Sequence, residues 1–170
     1  MKKGFTIIES LVAIAILATV IMGASSAVQS GLSSYIFSKD QIVAFYLAQE
    51  GFEQLRNIRD ENALNSRNWL TGIALNSSDP CYFGYSCMAS PVESSTLTRC
   101  SAPGACPLLR QEVSTGFYGY NALWPATLFR RDISLTSIGT DEVAVTVKIT
   151  WSKGAVTREF KARENLFRWQ

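Results

Sequence analysis

Histidine is absent from all 170 residues. Its absence removes imidazole general bases, His-based catalytic triads and His-ligated zinc from the chemistry open to this chain. Proline is absent before Pro80, so nothing in the first 79 residues forces a helix to kink or stop. An excess of one charge is lacking too. The 16 basic and 14 acidic residues give a net charge of +2, and Lys2 and Lys3 account for that excess. No strong field therefore draws nucleic acid or anionic lipid to the chain as a whole. No internal repeat and no low-complexity linker is present.

What the sequence does have is a long apolar run at its start. Phe5 to Val28 is dominated by Ile, Leu, Val and Ala, and as a helix these residues span roughly 36 Å, enough to cross a bilayer. Lys2 and Lys3 before it predict an N-in, C-out orientation. Glu9 interrupts the run near its start, where an ionised residue is costly and usually functional. The apolar pattern continues through Leu32, Ile36, Val43, Leu47, Leu55 and Ile58 on one stripe. Lys39, Gln41, Glu50, Glu53, Gln54 and Arg59 lie mostly off it. One helix from about Phe5 to Asp60 follows, membrane-buried over 5–28 and amphipathic over 29–60. Gly23, Gly31 and Gly51 are its weak points.

Residues 61–127 show weak periodicity and are expected to be irregular, apart from a short helix over Asn65 to Ala74. Asn76-Ser77-Ser78-Asp79-Pro80 then reads as a break, and it contains a weak N-x-S acceptor match. Residues 128–170 are β in character. In "EVAVTVKITW", Val143, Val145, Val147, Ile149 and Trp151 alternate with Ala144, Thr146, Lys148 and Thr150, as a half-buried strand requires. "SKGA" supplies a turn, with Gly154 suited to positive φ, and "VTREFKAR" returns with Val156, Phe160 and Ala162 in phase. "FRRDISL" reads as a third strand. A three- or four-stranded antiparallel sheet packed on the stripe from Val43 to Ile58 makes an α+β domain.

Four cysteines, Cys81, Cys87, Cys100 and Cys106, fall in the irregular region among Pro80, Pro91, Pro103 and Pro107. On the outer side of a membrane an even, clustered set predicts disulfides. Two C-x5-C pairs lack the ligand spacing of a structural zinc site, so no metal is expected. Of the three possible pairings, Cys81 with Cys87 and Cys100 with Cys106 close across Gly84 and across Pro103-Gly104. The nested pairing, Cys81 with Cys106 and Cys87 with Cys100, would staple a hairpin twice. The prolines disfavour regular strands there, which favours the local pairs.

"KKGFTIIESLVAIAILATVIMG" resembles the N-terminus of type IV pilins and of the pseudopilins of type II secretion, matching at Lys2, Lys3, Gly4, Phe5, Thr6, Glu9 and the apolar run onward. "LAQEGFEQLRNIRD" and the final strand pair are similar to minor pilins and to the I-type minor pseudopilins. The resemblance implies a four-residue leader cut between Gly4 and Phe5 by a prepilin peptidase, N-methylation of Phe5, and retention of the helix as membrane anchor and then filament core. It also implies that Glu9 pairs with the Phe5 amine of a neighbouring subunit during assembly. The implied partners are other pilin or pseudopilin subunits, the peptidase and an inner-membrane assembly platform. The chain would begin as a single-pass inner-membrane precursor and end in an extracellular or periplasmic filament.

The expected function is thus a structural subunit of a type IV pilus-like filament, a minor pilin, not an enzyme and without cofactor. The alternatives are a minor pseudopilin and, from another class, a secreted or anchored binding protein. An ordinary secretory signal cut near Gly23 to Ala27 is disfavoured by the length of the apolar run and by Glu9. The neighbouring acids Asp60 with Glu61 and Asp141 with Glu142 read as solvated charges, not as acid and base partners. Arg158, Lys161, Arg163 and Arg168 read as a solvated strand face, and the interleaved Glu159 and Glu164 weaken a nucleic-acid reading of it. Phe117, Tyr118, Tyr120 and Trp124 read as core or sheet-edge packing.

Overall fold

A computed structural model describes residues 4, 6–90, 92 and 96–168. Phe5, the expected site of cleavage and methylation, lies outside the described residues, as do Lys2, Lys3 and Pro91. The chain forms two compact units, Met1–Ile42 and Val43–Gln170. One helix, α1, covers Ile7–Leu64 with 58 residues, so it ends four residues beyond the expected Asp60. The absence of proline permits that length. By length and composition α1 is able to cross a membrane.

In the first unit, the apolar side chains of α1 are bare. Ile7, Ile8, Leu11, Val12, Ile14, Ile16, Leu17, Val20, Ile21 and Met22 are all more than half exposed. A helix that is apolar on every side and uncovered in water is unstable as such. It calls for lipid or for the apolar faces of other helices.

In the second unit, α1 from Val43 onward packs on a seven-stranded antiparallel sheet. The strands are β1 (Ser86–Ala89), β2 (Leu97–Arg99), β3 (Leu108–Gln111), β4 (Tyr118–Gly119), β5 (Ala126–Ser137), β6 (Glu142–Lys153) and β7 (Val156–Phe167). The α+β, pilin-like arrangement is as expected from the sequence, but the sheet is larger than three or four strands. The four additional strands, of two to four residues each, come from the region expected to be irregular. They are too short to show period-2 patterning, and β5 recruits them by offering its free edge. β3 pairs with the first half of β5 (Leu108 opposite Arg130) and β1 with the second half (Cys87 opposite Ile133). β6 pairs with β5 along the other edge, and β7 with β6. The β6–β7 turn carries Gly154 at φ 60°, a conformation open to glycine at no steric cost.

The face toward α1 is the odd-numbered set of β5 and β6: Phe129, Arg131, Ile133 and Leu135 beside Val143, Val145, Val147, Ile149 and Trp151. From the helix come Ala44, Leu47, Ala48, Phe52 and Leu55. Leu55, wholly buried, alone contributes about 2 kcal/mol by leaving water. The stripe needs correction at its polar members. Gln54 and Arg59, expected mostly off it, are buried at 5% and 7% exposure. Arg59 donates to the Phe167 carbonyl at 3.5 Å and to Asp60 at 2.7 Å. Long side chains bury their stems while their heads find partners at the rim.

The expected helix over Asn65 to Ala74 is instead a series of turns. Ser66 adopts φ 53°, which ends α1, and the Asn62 side chain donates to the carbonyls of Trp69 (3.4 Å) and Thr71 (2.8 Å). Those bonds use groups that a helix would need for itself. Trp69, Ile73 and Ala74 still reach the core.

Gly51 marks the closest approach of helix to sheet. A methyl group there would stand 3.4 Å from Arg131 Cδ and Val147 Cγ1, and 3.5 Å from Ile133 Cδ1. Alanine therefore just fits, and it regains up to ~1 kcal/mol of helix propensity, while any larger side chain forces α1 off the sheet. Gly51→Ala is expected to leave stability unchanged or raised, and Gly51→Leu to lower it by ~1–3 kcal/mol through overpacking. Urea unfolding of the full chain in detergent micelles checks both, and a Gly51→Leu protein as stable as wild type would refute the close contact.

Candidate functional site

Two groups of residues carry the features that composition alone does not explain: the start of α1 and the polar centre of the second unit.

At the start of α1, Thr6 precedes the first helical residue, and its hydroxyl accepts from the Glu9 amide at 3.4 Å. Glu9 Oε2 in turn accepts from the Thr6 amide at 3.1 Å and from the Thr6 hydroxyl at 2.9 Å. This is a capping box, in which Thr6 and Glu9 satisfy amide donors that the first turn leaves open. The sequence signal was present as T-x-x-E before an apolar run, and the reading that assigned Glu9 to assembly alone passed over it. The box uses one carboxylate oxygen. Oε1 has no partner among the described residues, and Glu9 is exposed, so its charge remains available to a second group. Gly4 is exposed, and nothing lies within 4 Å of where a Cβ would stand.

In the second unit, the wholly buried Arg131 fastens three elements together. Its Nη1 donates to the Leu47 carbonyl of α1 at 2.9 Å and to Glu50 Oε2 at 3.0 Å, while Nη2 donates to the Ala89 carbonyl of β1. Breaking such a buried, hydrogen-bonded pair costs ~3–5 kcal/mol, and the lower end applies here because Glu50 is partly exposed. The Tyr120 phenol lies beside this guanidinium. Burial pushes its pKa above the ordinary 10.0, and the nearby Arg131 charge only partly offsets that. Sequence reasoning placed "FRRDISL" on a strand without identifying which arginine turns inward. The period-2 alternation with Phe129 and Ile133 was the available signal.

The disulfides join Cys81 to Cys87 and Cys100 to Cys106. They brace opposite faces of the sheet. Cys87 stands opposite Ile133 and belongs to the core. The Cys100–Cys106 loop closes over the far face, where the Cys106 amide donates to Asp132 Oδ1 at 3.1 Å and the Gly104 amide to Ser86 Oγ at 3.0 Å. The Cys100 and Cys106 sulfurs and the Asp132 carboxylate lie within 4.8 Å of one another. Because the sulfurs are bonded to each other, neither is a free thiolate ligand. Each short crosslink is worth ~2–3 kcal/mol through the unfolded chain.

The other residues singled out from the sequence are dispersed. Asp60 pairs with Arg59, Glu61 with Arg67 at 3.2 Å, and Asp141 with Arg168 at 3.3 Å. Arg158, Lys161, Arg163 and Arg168 are exposed. Among the aromatic residues, Tyr118 packs edge-on against Phe129 with centroids 6.5 Å apart, Trp124 is half-buried, and Phe117 is exposed.

With this geometry in place, residues 1–25 match the family model of the prokaryotic N-terminal methylation motif. No curated protein and no solved structure matches the chain.

Tyr120 yields a dependence on alkaline pH. Its folded-state pKa is raised, so below pH 10 the phenol is neutral in both states and stability is unaffected. Above pH 10 the unfolded chain releases the proton first, and stability falls as pH rises through the folded value. Chemical unfolding of Tyr120→Phe between pH 9 and 11 should show a shallower loss than wild type. Equal slopes would remove the burial effect.

Proposed function

We propose that the chain is a structural subunit of a type IV pilus-like filament, a minor pilin processed by a prepilin peptidase. The observation that carries this reading is the methylation motif at residues 1–25, continuous with an apolar helix whose surface is bare. The motif supports a pilin-like or pseudopilin precursor held in the membrane. The bare helix gives that precursor a physical use for processing. Removal of a short leader leaves the helix in place, so one apolar surface serves in lipid first and against neighbouring helices afterwards.

In this reading the peptidase cuts between Gly4 and Phe5 and the new Phe5 amine is methylated. The precursor is N-in and C-out in the inner membrane, and an assembly platform lifts it into the filament. Glu9 aligns the incoming subunit. Thr6 holds Oε2 and fixes the side chain's direction, while Oε1 accepts from a neighbour's Phe5 ammonium. Opposite charges attract strongly where water is excluded, and an unpaired carboxylate there is costly. The outer unit, braced by Arg131 and two disulfides, determines what the filament surface presents.

Intact mass and N-terminal sequencing of protein from cells with an active prepilin peptidase should give a chain starting at N-methylated Phe5. A start at Met1, or one near Val28, would overturn the filament reading in favour of an anchored or secreted binder. The capping and alignment roles of Glu9 separate in two variants. Glu9→Gln keeps an acceptor for Thr6 but loses the charge, and Glu9→Ala loses both. Incorporation into filaments alongside wild-type partners is expected to fall at least tenfold in each, with helicity unchanged in Glu9→Gln. Normal incorporation of Glu9→Gln would show that the capping box alone explains the residue.

A further inference from the structure

Asp132 and the Cys100–Cys106 crosslink form a second polar site, contained wholly in the second unit. The two cysteines differ in access, with Cys100 at 8% exposure and Cys106 at 1%. The loop between them, 101–105, is exposed throughout. Cys81 and Cys87 belong to the core cluster, whereas Cys100 and Cys106 stand outside it, so this crosslink can open while the core stays packed. Asp132 faces the loop from β5 and is 4% exposed. Its Oδ1 accepts from the Cys106 amide at 3.1 Å. Its Oδ2 is buried and has no hydrogen-bond partner among the described residues, although the two sulfurs and the carboxylate lie within 4.8 Å of one another.

A buried carboxylate oxygen without a donor is costly. The crosslinked sulfurs carry no proton to offer it, but with the crosslink open the Cys106 thiol becomes the missing donor. That thiol has a need of its own. A thiol attacks a disulfide only as the thiolate, and at 1% exposure Cys106 has little water to take its proton. The Cys87 carbonyl, 3.6 Å from Cys106 Sγ, can hold the proton in a hydrogen bond but cannot remove it. Asp132 can. Passing the proton from sulfur to carboxylate moves a negative charge within one dry site, so no new charge has to be desolvated. The charged neighbours are mostly cations: Arg130 and Arg131 adjoin Asp132 on β5, Lys148 on β6 is directly opposite it, and β7 follows with Lys161 opposite Lys148 and Glu159 opposite Thr150. β1 and the loop 101–105 bring no charged side chain.

We propose that Asp132 is the proton acceptor that closes the Cys100–Cys106 crosslink, so that the chain catalyses its own oxidation at this site when an external disulfide, R–S–S–R, is supplied. Cys100, the more accessible thiol, loses its proton to water and attacks first. An S–S bond forms from Cys100 to one R–S group, and the other leaves as R–S⁻. Cys106 then passes its proton to Asp132 Oδ2, and its sulfur attacks Cys100 Sγ. The Cys100–Cys106 bond forms, the bond from Cys100 to R–S breaks, and the second R–S⁻ leaves with the electron pair. The external disulfide is reduced by two electrons and the cysteine pair is oxidised by two. Asp132 finally gives its proton to the leaving thiolate.

The full chain in detergent micelles is reduced under native conditions, freed of reductant and mixed with excess dithiodipyridine. This disulfide releases one coloured thione when Cys100 is captured and a second when the crosslink closes, so the second phase reads closure. Alkylation and peptide mapping identify the cysteines that react, and near-ultraviolet circular dichroism checks that the protein stays folded. The wild-type closure rate is expected to be flat between pH 6 and 8. Asp132→Asn keeps an oxygen for the Cys106 amide but cannot take a proton. Its closure should be about a hundredfold slower and should rise about tenfold per pH unit, because only solvent then supplies the thiolate. Equal closure rates in the two proteins would overturn the proposal. A wild-type rate that itself climbs about tenfold per pH unit would overturn it as well, whether or not the variant folds.

Discussion

Arg131 is the contact on which the second unit, Val43–Gln170, depends. It is wholly buried, and its two terminal nitrogens bond to main-chain carbonyls of a helix and of a short strand that are far apart in sequence. A cation in that position has no route back to water, so the elements around it are held at one spacing. Gly51 provides room for its stem, Glu50 supplies the counter-charge, and the Tyr120 phenol is kept neutral beside it. The apolar contacts from Leu47, Leu55, Ile133 and Val147 supply cohesion without direction. The guanidinium supplies direction, because hydrogen bonds have geometry and hydrophobic contact does not.

The disulfides complete this arrangement from the other side. Cys81–Cys87 lies among the core residues, while Cys100–Cys106 closes a loop over Asp132 and Ser86 on the far face. The sheet is thus fixed on one face by a helix and on the other by a crosslinked loop. The first unit has the opposite character. Its apolar surface is uncovered and calls for lipid or for the apolar faces of other helices.

Much of this was legible in advance where a local pattern is long enough to be read. The apolar run, the β6 and β7 strands and the Gly154 turn each repeat a signal over many residues. The T-x-x-E box at Thr6 and Glu9 was equally legible but was read for its charge alone. The strands of two to four residues between Ser86 and Gly119 were not legible, because period-2 alternation needs more positions than they have. The false helix over Asn65 to Ala74 fails for a related reason. Its propensities are adequate, but the Asn62 side chain competes for the carbonyls of that stretch, and such competition has no periodic signature.

The sequence by itself determined the N-terminal motif, the membrane-competent helix, the α+β class and the presence of crosslinkable cysteines, since each depends on residues near one another in the chain. Only the tertiary structure decided which arginine is buried, which residues accept its hydrogen bonds, and how β1, β3 and β6 share the two edges of β5. Those outcomes depend on pairs of residues separated by 42, 81 and 84 positions, as in the Arg131 contacts. They are settled by packing and desolvation around a buried charge, which local preference does not encode.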